Sequence, residues 1–231
     1  MLRTASATIA FILLGTSLAT AGVLTQTTTF DLQDPVFNGA AAASALDQFD
    51  PTLGVLTSVQ ITLNAQQTSN YILKNTQSFN IDASLVTTVV FDLASSAAAI
   101  TSVLQPDGFS NGGPFNLITE ARNPIQTLTP GQSASFGPLN DQATGTVTIT
   151  TPADLALFIG TGALDFLLQS TAFDQSGNTL SGILQRDLST QTGGALTLTY
   201  NYTVPEPASV VMLGLAVGAL GVRVRRREAR G

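Results

Sequence analysis

Apolar residues recur at every second position through most of this chain, the spacing of strands with one face buried and the other in water. Val55, Thr57, Val59, Ile61 and Leu63 fall on one face of Leu53–Asn64. Thr146–Thr150 sets Val147 and Ile149 against threonines, and Leu196, Leu198, Tyr200 and Tyr202 repeat the pattern near the end. Leu85–Leu93 and Leu164–Phe173 are apolar more evenly, as expected of strands covered on both faces. Turn chemistry separates these runs: Pro106-Asp107-Gly108, Asn111-Gly112-Gly113, Pro130-Gly131 and Asp174–Asn178. Gly108–Pro114 is expected to be a long exposed loop, and the alanine-rich Ala40–Leu46 and Ala94–Leu104 to be short helices. The pattern predicts an all-β protein, an antiparallel β-sandwich of jelly-roll or Ig-like type.

The two ends break the pattern. Met1-Leu2-Arg3 opens with one positive charge, Ala5–Leu18 carries none, and Ala19-Thr20-Ala21 supplies a small-x-small site. That order predicts a signal peptide over 1–21, cut after Ala21 with Ala19 and Ala21 as the recognised residues. At the other end Val204-Pro205-Glu206-Pro207 precedes the uncharged Ala208–Val222, and Arg223, Arg225, Arg226 and Arg227 follow. A helix over about 208–222 rises only about 22 Å, short of the roughly 30 Å hydrocarbon core. Snorkelling arginines lengthen its effective span, and their charge keeps the tail cytoplasmic with the body outside. Each proline fixes φ, so the segment before the helix is stiff and extended, a shape a protease can hold.

Val-Pro-Glu-Pro, a glycine-containing apolar stretch and a terminal arginine cluster resemble the PEP-CTERM sorting signal over 204–231. The resemblance implies a Gram-negative exporter of exopolysaccharide and processing by an exosortase-type membrane cysteine protease. In the body, Phe49–Val59 and Phe158-Ile159-Gly160-Thr161-Gly162 resemble the choice-of-anchor E domain. That family implies an extracellular body over 22–203 and no particular activity.

Charge sharpens this picture. Between Gly22 and Val204 only Lys74, Arg122 and Arg186 face twelve Asp and one Glu, so the body carries 3 − 13 = −10. Such a body repels phosphate backbones, and no nucleic-acid partner is expected. There is no Cys, His or Trp, which removes disulfides, the Ser-His-Asp triad, the Cys nucleophile and the usual zinc ligands. No cofactor, metal or catalytic residue is therefore assigned. Asp31 with Asp34 and Asp47 with Asp50 are the nearest carboxylate pairs for a weak glycoside hydrolase, but turn and cap positions explain them better. Asp174, Ser176 and Asn178 open like a calcium loop, yet Thr179 and Gln185 occupy the positions of its glycine and bidentate glutamate. Gly160-Thr161-Gly162 lacks the lysine of a phosphate loop and fits a tight strand connection.

The expectation is thus a non-enzymatic, exported protein, held transiently at the inner membrane and then released to the cell surface or an exopolysaccharide matrix. Its expected role is structural or adhesive, with carbohydrate binding as the alternative.

Overall fold

In a computed structural model of the chain, residues 20–34, 42–106, 113–176 and 184–204 are described. The signal-peptide residues through Ala19, the tail from Pro205 with its apolar stretch and arginines, and most of the Gly108–Pro114 loop lie outside them. Among the described residues the strands are β1 (Thr20–Gln33), β2 (Ala42–Asp47), β3 (Val55–Asn75), β4 (Ile81–Ala83), β5 (Leu85–Ser95), β6 (Leu117–Arg122), β7 (Gln126–Leu128), β8 (Ser133–Ile149), β9 (Ala163–Ser176) and β10 (Leu184–Val204). Two short helices, α1 (Ala98–Leu104) and α2 (Pro152–Leu155), lie in the connections.

Two four-stranded antiparallel sheets run in the orders β1-β10-β3-β8 and β2-β9-β5-β6, and β4 and β7 make a small separate ribbon. Successive strands mostly alternate between the sheets, and only β5 and β6 are both consecutive and paired within a four-stranded sheet. That is the double Greek key of a jelly roll, whereas an immunoglobulin-like sandwich pairs several consecutive strands. Val59, Ile61, Leu63, Leu196, Leu198 and Tyr200 from one sheet pack on Val89, Phe91, Leu93, Leu164, Phe166 and Leu168 from the other. The alternation expected for β8 and β10 holds, as does burial on both faces of β5.

Three expectations need correction. Ala42–Asp47 is a strand paired with Ala163–Leu168, not a helix: pairing with β9 turns Ala42, Ser44 and Leu46 inward at alternate positions. In the other alanine-rich stretch the helix is confined to Ala98–Leu104, and β5 claims the residues through Ser95. Val55 and Thr57 do not share a face with Val59: the register with β10 shifts between Asn201 and Tyr202, leaving Thr57 as an extra residue. This bulge turns Leu56 inward and leaves Val55 61% exposed, since one added residue inverts the pleat. The Thr57 hydroxyl donates to the Asn201 carbonyl at 2.9 Å and holds the bulge. Of the turn signals, Pro130-Gly131 closes β7 to β8 with Gly131 at φ 77°, while Asp174–Ser176 continue β9.

A second, smaller core gathers Tyr71, Leu73, Ile81, Ala83, Leu85 and Leu128 under the β4–β7 ribbon. A buried polar layer on the same inner face of β3 precedes Tyr71. Gln67, 1% exposed, donates through Nε2 to the Thr87 carbonyl at 3.1 Å and to Ser69 Oγ at 2.9 Å, and accepts from the Thr119 hydroxyl at 2.6 Å. Ser69 also bonds the Thr190 hydroxyl at 3.0 Å. The network ties β3 to β5, β6 and β10, and every amide group of Gln67 is used. Replacing Gln67 by Ala takes this acceptor from the Thr119 hydroxyl and leaves a cavity, with an expected loss of about 2–4 kcal/mol. Urea unfolding of Gln67→Ala against the parent measures it.

Candidate functional site

The sequence places its clearest functional signals at the two ends of the body, and the fold brings the bases of both together. β1 pairs with β10 so that Thr20 faces Val204, Ala21 faces Thr203 and Gly22 faces Tyr202. The expected signal-peptide cleavage after Ala21 therefore falls beside the residue where the tail begins. A chain starting at Gly22 keeps the ladder from Gly22 to Phe30. Ala19 lies outside the described residues, as do Pro205, Glu206, Pro207, Arg223, Arg225, Arg226 and Arg227.

Aromatic packing fixes this end of β10. Phe49 is fully buried, with ring centroids 5.8 Å from Tyr200 and 5.1 Å from Tyr202, both tilted. The Tyr200 hydroxyl donates to the Asp47 carbonyl at 2.8 Å. Burial, with a lesser contribution from the Asp47 charge, pushes the Tyr200 phenol well above its ordinary range, so it stays a donor. Gly22 lies against the Tyr202 ring, where a Cβ would overlap the ring carbons. Gly54 has φ 150° and faces the Thr203 carbonyl so closely that a Cβ has no room. Asp50 caps the turn at Pro51–Leu53 by accepting from the Thr52 amide at 2.8 Å, which lowers its pKa.

The same corner unites the two body segments singled out in the sequence. Phe49 and Ile159 form a parallel bridge, with the Phe49 amide donating to the Phe158 carbonyl at 2.8 Å and the Gly160 amide to the Phe49 carbonyl at 3.0 Å. Gly160-Thr161-Gly162 is a tight connection into β9, and the Gln48 amide donates to the Gly162 carbonyl at 2.9 Å.

Among the described residues the carboxylates show no assembled chemistry. Asp31 lies in β1, Asp34 just beyond it, Asp47 ends β2 and Asp50 is a cap. Asp92 is half-buried; its pKa is raised by burial and partly offset by the Asn116 amide, which donates at 2.9 Å. Among the described residues no three His, Cys, Asp or Glu side chains gather as a metal site, and no helix is long and apolar enough to cross a membrane.

Comparison with known proteins speaks to the tail. Residues 203–227 match the PEP-CTERM protein-sorting motif. The match begins at Thr203, inside β10, and covers the prolines, the apolar stretch and Arg223, Arg225, Arg226 and Arg227. No curated protein matches the chain. Among solved structures, the VP2 subviral particle of infectious bursal disease virus is 13% identical at a TM-score of 0.18, covering 80% of this chain and 38% of that one. The virus-like particle of a giant freshwater prawn nodavirus is 9% identical at a TM-score of 0.25, covering 89% and 96%. The chain thus spans less than half the length of the bursal-virus proteins it matches. At these scores the likeness carries no argument, and the jelly roll rests on strand order.

What sequence reasoning missed here is Phe49, Tyr200, Tyr202, Gly22 and Gly54 acting as one clamp. Gly54 was the available signal, a glycine between Leu53 and Val55 where a strand begins. Gly54→Ala forces a strained φ and a backbone clash, with an expected destabilisation of about 1–3 kcal/mol. Hydrogen exchange is expected to show faster opening at the Thr203 and Val204 amides than at Leu196, and equal protection in variant and parent contradicts the clamp.

Proposed function

We propose that this chain is an exported, non-enzymatic envelope protein, whose tail delivers it to the cell surface or an exopolysaccharide matrix for a structural or adhesive role. The PEP-CTERM match over 203–227 is the observation that carries the reading. The expected order of events starts with removal of 1–21. The apolar segment 208–222 then holds the chain in the inner membrane, with its arginines on the cytoplasmic side. An exosortase-type protease cuts near Pro205-Glu206-Pro207 and frees a body of about 22–204. The likeness of Phe49–Val59 and Phe158–Gly162 to the choice-of-anchor E domain supports an extracellular body joined to a sorting tail.

Physical chemistry favours a passive role. The body has no His or Cys. Its cores are closed by aliphatic and aromatic side chains from both sheets. Its fold depends on no disulfide, since there is no cysteine to make one.

A chain ending at Thr203 tests the reading in a host that carries the sorting protease. The truncated protein is expected to be exported yet lost from the surface fraction, without the processing step seen in the parent. Unchanged surface localisation and unchanged processing contradict the role of the tail.

A further inference from the structure

The exposed apolar side chains of the body are unevenly placed. Among the described residues eleven large hydrophobic side chains are exposed. Five of them, Val23, Leu53, Val55, Ile159 and Val204, sit at the end of the sandwich where β10 finishes. Strand pairing puts three of them there: Val23 opposite Asn201, Val55 opposite Thr203 and Val204 opposite Thr20. Leu53 joins them through Gly54, which lies against the Thr203 carbonyl. Ile159 joins them through its bridge to Phe49, whose ring packs on Tyr202. Val23 is 64% exposed, on the outward face of its sheet. The next outward row along that face, Thr25-Thr199-Gln60-Thr148, is entirely polar. The aliphatic surface therefore belongs to the strand end and not to the sheet as a whole.

This end is also nearly free of charge. Residues 20–25, 49–59, 158–162 and 200–204 contain one charged side chain, Asp50, in a body that carries twelve Asp and one Glu. The Asp50 carboxylate is engaged by the Thr52 amide of its own turn. The length of the tail then decides what such a surface meets. Four residues separate Val204 from Ala208, where the uncharged stretch begins, and a chain of that length reaches at most about 14 Å. A helix over 208–222 rises about 22 Å against a hydrocarbon core of roughly 30 Å, so part of that reach is drawn into the membrane. The gap left beneath the strand end is narrower than a folded domain, which makes lipid its natural neighbour.

We infer that this end of the body docks on the lipid surface while the tail is still attached. The inference rests on the proposed membrane hold of 208–222 and adds to it a contact made by the folded body. Val23, Leu53, Val55 and Val204 enter the boundary between headgroups and acyl chains, and Thr20, Asn201 and Thr203 beside them meet the headgroups. The rest of the body, at −10, is repelled by anionic lipid, so it stands on its uncharged end and does not lie on a sheet face. A contact too weak to hold a free protein suffices here, because the tether keeps its local concentration high. Docking holds Pro205-Glu206-Pro207 at the depth of a membrane-embedded protease. Cutting there removes the tether and releases the body.

Because the chain has no cysteine, single cysteines can report each position. The membrane-held chain, purified from a host that lacks the sorting protease, is labelled with an environment-sensitive nitrobenzoxadiazole dye. It is then placed in vesicles of phosphatidylethanolamine and phosphatidylglycerol, with and without nitroxide-bearing lipid. Labels at Val23→Cys and Val55→Cys are expected to shift to the blue and to be quenched by the nitroxide lipid. A label at Ile72→Cys, also exposed but at the far end of β3, is expected to behave as in water. Val55→Asp is expected to remove most of the quenching at position 23. Equally water-like labels at 23, 55 and 72 overturn the inference. Shielding at 23 and 55 that grows with protein density, without quenching by lipid, identifies a second copy as the cover and overturns it too. A label at Leu215→Cys reports the tail separately. Left unquenched, it refutes the membrane hold and the docking with it; quenched while 23 and 55 stay water-like, it leaves the hold standing and refutes the docking alone.

Discussion

The body is organised around its last strand. β10 lies between β1 and β3, pairing with β3 from Val55–Thr203 at one end to Asn75–Leu184 at the other. Its inward residues Leu196, Leu198 and Tyr200 are fully buried in the centre of the main core. Without β10 the first strand has no neighbour in its sheet, and β3 keeps only β8. The partners are separated by most of the chain, so closing this sheet carries the entropic cost of a long loop before any contact compensates it. The jelly roll therefore cannot be completed until residues 184–204 are available to pair.

That constraint gives the tail its setting. The residues matching the sorting motif begin at Thr203, still inside the central strand. Phe49, Tyr200 and Tyr202 hold that strand end, and the glycines at 22 and 54 allow the close approach. A protease meeting Pro205 meets it next to a rigid base. On the proposed reading the N-terminal segment would be cut from the adjacent strand at Ala21, which pairs with Thr203. Both ends of the mature body would then lie at one corner.

Much of this was legible in the sequence, for identifiable reasons. Period-two runs such as Leu196–Tyr202 and Val147–Ile149 specify strands because each buries one face. The tail is readable because prolines, an apolar stretch and arginines occur in a fixed order. Failures came where tertiary context overrode local preference. Ala42–Asp47 has helix-forming composition but pairs with β9, and the bulge at Thr57 reversed the faces assigned to Val55. The jelly-roll order itself follows from long-range pairing, which alternation within a strand cannot specify.

The central claim is that both ends of this chain are removed around an intact jelly roll. Intact-mass and terminal-peptide analysis of the protein recovered outside the inner membrane of a host with the sorting protease tests it most directly. The account predicts an N-terminus at Gly22 and a C-terminus at or within a few residues of Val204. A protein recovered there with Met1 or with Arg223–Arg227 still attached would contradict it.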